Sequence, residues 1–141
     1  PSKTHLGVAM MTRYTDDLNA ALADIDRDAQ SSKAKLQGFI ALYRKTEACG
    51  AICLCGSLAT DRETLPEELQ EAITGYLERS EAWLADTLSS GAQQGEFKLP
   101  SDAADLAASL LSSLQGGLIL SRAKGGRPML AVVEQVFLGS L

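Results

Sequence analysis

Apolar residues recur every three or four positions along most of the chain, the spacing that places them on one face of an α-helix. The first such stretch begins directly behind Ser2, a residue type that suits a helix N-cap. It spans about six turns, with apolar positions at Leu6, Met10, Tyr14, Leu18, Ala21, Leu22 and Ile25. The pattern predicts a long helix that starts almost at the first residue.

A second helix is predicted after the polar break AQSSKAK, capped by Ser31 or Ser32 and ending between Ala48 and Gly50. The next stretch, CGAICLCGSLATD, is small and apolar and could be a buried strand. Because no other segment could pair with such a strand, a short buried helix is the better prediction.

Three further signals predict the remaining helices. Thr64 and Glu67 have the spacing of a capping box in front of a third long helix that runs to Leu88 and beyond. Asp102 can cap a fourth long helix after Pro100. The turn GGRP then leads into a last apolar helix, with Pro128 in its first turn. The sequence therefore predicts an all-α bundle of about six helices.

Composition favours one domain over residues 1–141, since 45% hydrophobic content in 141 residues supports a single core. The net charge of -5 gives the chain no general attraction to nucleic acid or anionic lipid. Neither a signal peptide nor a membrane-length apolar run is found in the sequence, so we expect a cytoplasmic location with no membrane partner.

The sequence gives little sign of metal or enzyme chemistry. Asp24, Asp26 and Asp28 begin like a calcium loop, but Ala29 replaces the required Gly and Lys35 the bidentate Glu. With no nucleophile elbow and no Gly-rich phosphate loop, we expect neither an enzyme nor a cofactor.

Three cysteines, Cys49, Cys53 and Cys55, lie within seven residues. Zinc needs four ligands, and the one histidine, His5, is far away in sequence, so no metal site is predicted. Two interpretations stay open: packed structural thiols, or a redox or electrophile sensor in which the thiols trap an electrophile or oxidise in pairs.

The opening PSK in front of a helix resembles the end of the helix-turn-helix domain in the tetracycline-repressor (TetR) family, which reads roughly Y-x-x-F-x-S-K. CLCGSLATD, AWLADTLSSGAQQGEF and DAADLAASLLSSLQGGLILSRA are similar to the regulatory domain of that family. The resemblance covers essentially the whole chain, and its most distinctive positions are Cys53, Gly56, Leu58, Ala59, Gly95, Leu114, Gln115, Gly116 and Leu118. Asp61 departs from the Glu that is common there.

The resemblance implies the effector-binding and dimerisation domain of a transcriptional regulator, a repressor by analogy with the family. On this hypothesis the chain begins at the hinge to an absent DNA-binding domain, which alone would contact the operator. Lys3 would reach the DNA backbone, or else is an ordinary surface lysine. The alternative is a stand-alone helical dimer that binds a small molecule or a partner protein without DNA.

The last two helices have more apolar residues than one buried face needs, which predicts a homodimer. The TetR resemblance implies a four-helix interface built from this pair. The residues expected in it are Leu110, Leu114, Gly117, Leu118, Val133, Val136 and Phe137. Burial of both helices inside a monomer is the alternative.

A cavity between the second, third and fourth predicted helices and the penultimate one would bind the effector. The expected lining combines apolar and aromatic residues with a few polar groups, namely Phe39, Tyr43, Cys53, Leu58, Tyr76, Trp83 and Gln115. Because no charged residue dominates this set, we expect a hydrophobic or weakly polar small molecule.

Overall fold

Six α-helices and one short 3-10 helix account for the regular structure of residues 2–141, which a computed structural model describes. The α-helices are α1 Lys3–Asp28, α2 Ser32–Ala48, α3 Leu54–Ala59, α4 Glu67–Gln93, α5 Ala103–Ala123 and α6 Leu130–Gly139. The 3-10 helix, Arg62–Thr64, joins α3 to α4. The predicted all-α fold is confirmed; Pro1, the first residue of the PSK motif, lies outside the described residues.

Three of the predicted helix starts are confirmed by their caps. The Ser2 hydroxyl accepts a hydrogen bond from the backbone N–H of His5, at 3.2 Å. Ser31 caps α2 and Asp102 caps α5 in the same way, at 3.0 Å and 2.8 Å. Each cap satisfies a backbone donor that the first turn of a helix cannot pair internally.

The predicted capping box of α4 is wrong. Thr64 lies in the 3-10 helix, where its hydroxyl donates to the carbonyl of Asp61 at 2.8 Å. Pro66 instead occupies the cap position, and no side chain caps the helix. Two acidic residues in the first turn, Glu67 and Glu68, interact favourably with the helix dipole in place of the cap.

The last helix also starts later than predicted, because Pro128 precedes its cap, Met129. No local side chain caps α6. Its first backbone donors are satisfied from a distance: Glu47, at the end of α2, accepts from the N–H groups of Met129 and Leu130. The start of α6 is thus fixed by tertiary contact with α2.

The core-facing stripe of α1 differs from the predicted one in its first two turns. Met11 is fully buried, whereas Leu6 and Met10 are 63% and 49% exposed. The reason is that Gly7 and Met11, four residues apart, face α4: a Cβ on Gly7 would lie 3.1 Å from a methyl group of Leu69. Leu6 and Met10 therefore point away from the bundle.

By length and composition α5 could cross a membrane, but core helices of globular bundles meet the same criterion. Its apolar residues Leu110, Leu111, Leu114 and Leu118 are packed inside the bundle, where α4 is the main neighbour. Core packing thus accounts for these four leucines.

Candidate functional site

A cavity of about 160 Å³ opens between α1 and α2 and extends inward to α3 and α4. The α1 wall follows helical spacing, with Tyr14, Asp17, Leu18 and Ala21 on one face. The other walls are formed by Leu42, Tyr43, Thr46, Cys53 and Tyr76. Asp17 is exposed at the mouth, whereas Tyr43, Cys53 and Tyr76 are buried at the inner end.

Three tyrosines give this cavity its chemical character. The rings of Tyr14 and Tyr76 are stacked, with centroids 4.9 Å apart, and Tyr43 packs on the ring of Phe39 at 5.6 Å. Burial is the main cause that raises the pKa of Tyr14, Tyr43 and Tyr76 above the usual value for a phenol. All three hydroxyls are therefore neutral at physiological pH and can donate hydrogen bonds.

Cys53 contributes a thiol to the inner end of the cavity. The hydroxyl of Tyr14 donates to its sulfur at 3.5 Å. Its pKa is lowered mainly by hydrogen bonding from Cys55, against the opposing effect of burial, and further by Gln115, Tyr14 and the backbone of Gly56. These donors favour the thiolate form of Cys53.

The other two cysteines have different surroundings. Cys55 is completely buried, with its sulfur 4.0 Å from that of Met11; the hydrogen bond to Cys53 is the main cause that raises the pKa of Cys55, and burial raises it further. Cys49 is exposed at the end of α2, so the structural interpretation does not apply to it. All three thiols are free, and Cys53 alone lines the cavity.

Gln115 of α5 connects the cavity wall to α3. Its amide donates to the Tyr43 hydroxyl at 3.1 Å. A Cβ on Gly56 would lie 2.7 Å from the amide oxygen of Gln115, closer than real contacts allow. Glycine at position 56 therefore leaves room for the side chain that holds Tyr43.

The structure brings together part of the predicted effector site. Tyr43, Cys53 and Tyr76 line the cavity, and Gln115 reaches it through Tyr43. Phe39 lies behind this wall, fully buried. Leu58 is half-buried and does not line the cavity.

Trp83 lies elsewhere, in a polar pocket of about 310 Å³ between the end of α1, the start of α2 and α4. Its indole N–H donates to Asp26 at 3.0 Å, and Lys35 pairs with the other oxygen of that carboxylate at 2.7 Å. Its ring stacks on Phe39 at 5.7 Å. The prediction that Trp83 faces the same cavity as Tyr76 is therefore wrong.

An exposed apolar surface covers parts of α5 and α6, which we call the α5–α6 face. A groove of about 400 Å³ runs along it, lined by Leu106, Ser109, Ser113, Val132, Val133, Val136, Phe137 and Ser140. Val132 and Val136 are the most exposed apolar residues of α6, at 57% and 67%. This face includes the predicted interface residues Val133, Val136 and Phe137.

The other four residues predicted for a dimer interface pack inside the chain. Leu110, Leu114 and Leu118 are at most 1% exposed, so their side chains belong to the core. Gly117 faces α6, where a Cβ would lie 2.4 Å from a methyl group of Leu130. Apolar periodicity did not identify these residues as core, because a core face and a dimer face have the same apolar pattern.

Lys3 is exposed at the start of α1, next to the Ser2 cap. Within residues 2–141, no three His, Cys, Asp or Glu side chains are grouped so that they could hold a metal ion.

The helix order, the interior cavity and the apolar α5–α6 face describe a helical regulatory domain. The model of the tetracyclin repressor-like C-terminal domain matches residues 32–137, about three quarters of the chain. This chain therefore belongs to the TetR family, and it corresponds to the C-terminal domain of that family. The family consists of transcriptional regulators, which typically act as dimers that bind DNA and small-molecule effectors and are generally not enzymes.

Solved structures agree with this assignment. A TetR transcriptional regulator from Legionella pneumophila superimposes with a TM-score of 0.89 at 28% identity, over 100% of this chain and 75% of its own. A TetR-family transcriptional regulator from Agrobacterium tumefaciens superimposes with a TM-score of 0.86 at 22% identity, over 97% of this chain and 71% of its own. The reduced form of NemR from E. coli shares the fold, with a TM-score of 0.84 at 18% identity, over 98% of this chain and 73% of its own. A comparison with curated protein sequences gave no significant match.

Proposed function

We propose that this chain is the effector-binding and dimerisation domain of a cytoplasmic TetR-type repressor, released from operator DNA by a small hydrophobic or weakly polar ligand. The observation that carries the proposal is the cavity between α1 and α2, with its buried tyrosine and cysteine lining. Pockets of this kind, mostly apolar with a few placed polar groups, are typical ligand sites.

The cavity walls define the class of effector. An engineered cavity of about 150 Å³ holds one benzene molecule, so about 160 Å³ fits a single six-membered ring. The tyrosine hydroxyls are hydrogen-bond donors for a polar group on that ring. Asp17 at the mouth disfavours anionic ligands.

The coupling to DNA would operate through α1. It forms one wall of the cavity, and we propose that a DNA-binding domain joins its N-terminal end. Two recognition helices must lie about 34 Å apart to enter successive major-groove faces. A ligand that favours another separation weakens DNA binding by its differential affinity, typically about 1–3 kcal/mol. Lys3, exposed in the first turn of α1, would contact the DNA backbone in this proposed arrangement.

A pair of alanine variants tests the cavity. Ala21 lines it, whereas Ala20, its neighbour on α1, is exposed. Ala21→Leu should fill the space and abolish binding of phenol or cyclohexanone, measured by calorimetry or by NMR shifts. Ala20→Leu should bind like the wild type. If neither probe binds to the wild type, or if Ala21→Leu binds as well as Ala20→Leu, the cavity is not the effector site.

Dimerisation is proposed through the α5–α6 face, since a groove of this size with exposed valines favours an apolar partner surface. Sedimentation at micromolar concentration should give twice the chain mass. Val136→Glu should shift the protein toward monomer, because it would bury a charge in the interface. Leu6→Glu, at an equally exposed apolar position on α1, is the matched control. Sedimentation of the wild type with the mass of a single chain would contradict the proposed dimer.

A further inference from the structure

We propose that Tyr76 sets the size limit of the effector: its side chain closes a passage beneath α1 that would otherwise join the cavity to a groove on the other flank of that helix. The inference rests on the proposed function, because it concerns what the cavity admits. It goes further by naming the residue that restricts the ligand to a single ring.

The groove lies between α1 and α4 at the surface of the bundle, and its volume is about 370 Å³. Its lining mixes apolar and polar side chains, namely Met11, Thr12, Thr15, Asp16, Asn19, Ala72, Gly75, Tyr76 and Arg79. Because Asp16 and Arg79 contribute opposite charges, the groove favours an uncharged occupant.

The cavity and the groove lie on different flanks of α1. Tyr14 and Leu18 line the cavity, whereas Thr15 and Asn19 line the groove. Each residue of a helix is turned by about 100° from the one before it, so these two pairs point in different directions. Among residues 2–141, Tyr76 is the one residue that lines both spaces.

The side chain of Tyr76 occupies the space between the cavity and the groove. It extends from α4, is only 6% exposed, and stacks on the ring of Tyr14 with centroids 4.9 Å apart. The ring therefore reaches beneath α1 to the cavity wall. A small side chain at position 76 would leave this space to a ligand.

Helices α1 and α4 are also in contact on both sides of Tyr76. Toward the start of both helices, a Cβ on Gly7 would lie 3.1 Å from a methyl group of Leu69. Further along, Nε of Arg79 donates to the amide oxygen of Asn19 at 3.0 Å. Since surrounding structure closes only partly around a deleted side chain, these contacts should keep the passage open when the ring of Tyr76 is removed.

The volumes give the expected change in ligand class. A cavity of about 150 Å³ holds one benzene molecule, so the present 160 Å³ leaves no room for a second ring. With the passage open, a second ring attached to the first could extend toward the groove. The wild type should therefore select one-ring effectors, and a variant with a small residue 76 should accept uncharged two-ring molecules.

The test compares the binding of phenol and 4-phenylphenol by calorimetry. The wild type should bind 4-phenylphenol at least about tenfold more weakly than phenol. Tyr76→Ala should reverse this preference, because burial of a second ring is worth about tenfold or more in affinity. It should bind phenol itself no more tightly than the wild type, since it has lost one wall of the cavity.

Tyr43→Ala is the matched control. Tyr43 is also 6% exposed and lines the cavity, but it does not line the groove. In Tyr76→Ala, 4-phenylphenol should shift the amide NMR signals of Thr15 and Gly75, which line the groove. In Tyr43→Ala these two signals should stay unchanged, because any space gained there lies on the α2 side.

Three results would overturn the inference: equal binding of both probes by the wild type, an unchanged preference in Tyr76→Ala, or unshifted Thr15 and Gly75 signals in that variant. If circular dichroism shows that Tyr76→Ala is unfolded, Tyr76→Leu takes its place with the same readouts, since it retains more of the packing. If phenol binds the wild type in any of these cases, the proposed function stands and Tyr76 is only part of the wall. If phenol and cyclohexanone both fail to bind, the effector cavity is refuted and the inference with it.

Discussion

The contact between Glu47 and the start of α6 gives the most direct test of how this fold is held together. One carboxylate oxygen of Glu47 accepts from the backbone N–H of Met129 at 2.5 Å and from that of Leu130 at 3.1 Å. At ten residues, α6 is shorter than the about 12–15 residues that an isolated helix needs in water. The helix therefore depends on tertiary contacts such as this cap.

The cost of removing Glu47 follows from these two hydrogen bonds. A hydrogen bond to a charged group is worth about 1.5–3 kcal/mol net, but Glu47 is only half-buried and water can replace part of the interaction. We expect Glu47→Ala to lower the free energy of unfolding by about 2 kcal/mol. Glu47→Gln keeps the acceptor oxygen and loses the charge beside the helix terminus, so it should cost about 1 kcal/mol.

Urea unfolding at one fixed protein concentration is the appropriate assay, because the stability of the proposed dimer would depend on concentration. Glu78→Ala is the control: Glu78 is exposed on α4, and its loss should stay within about 0.5 kcal/mol. A change of less than about 0.5 kcal/mol for Glu47→Ala would refute the argument. Equal losses for Glu47→Gln and Glu47→Ala would show that the retained oxygen contributes nothing.

Two further predictions concern packing and pH. Gly91→Ala should destabilise the protein by about 1–2 kcal/mol, since overpacking outweighs the gain in helix propensity: the new Cβ would lie 2.3 Å from the ring of Phe97. Gly75 is on the same helix, and a Cβ there would have nothing within 4 Å. Gly75→Ala should therefore stabilise the protein in the same urea assay, and a change in the same direction for both variants would contradict the reasoning. Lys35 is the main cause that lowers the pKa of Asp26. The ionised carboxylate of Asp26 therefore stabilises the fold at neutral pH, and this stabilisation is lost as the pH falls through the lowered pKa. Asp26→Asn should therefore lose less stability than the wild type between about pH 5 and pH 2 in thermal unfolding, and parallel curves would contradict this.

Helix positions were largely predictable from the sequence because their signals are local. Ser2, Ser31 and Asp102 cap the helices that they were expected to cap, using donors two or three residues away. The two wrong starts have other physical causes. Thr64 lies in a 3-10 helix and not at the start of α4. Helix α6 begins where Glu47, more than eighty residues earlier in the chain, accepts hydrogen bonds from its first backbone N–H groups. A local motif carries no information on such a distant contact.

The cavity was less predictable, because its walls depend on how the helices pack. Tyr43, Cys53 and Tyr76 were identified from residue type. The contribution of α1 was missed, although Tyr14 and Leu18 have the spacing of one helix face, because a cavity wall and a core face have the same apolar pattern. Trp83 shows the converse, since an aromatic residue two turns from Tyr76 can open into a different pocket.

Helix α2 contacts both the proposed effector cavity and α6, which forms half of the proposed dimer surface. One side of this helix presents Tyr43 and Thr46 to the cavity. Within the same turn, Arg44 pairs with Glu134 at 3.0 Å and Glu47 caps the first turn of α6. A shift of α2 on ligand binding must therefore either carry α6 with it or break these contacts, and α6 forms half of the α5–α6 face. If ligand binding changes the free energy of dimerisation, then dimerisation must change the free energy of ligand binding by the same amount, because the two equilibria are linked. Because Glu47 lies between the two regions and lines neither the cavity nor the groove of the α5–α6 face, its substitution would weaken that coupling while leaving the cavity lining intact.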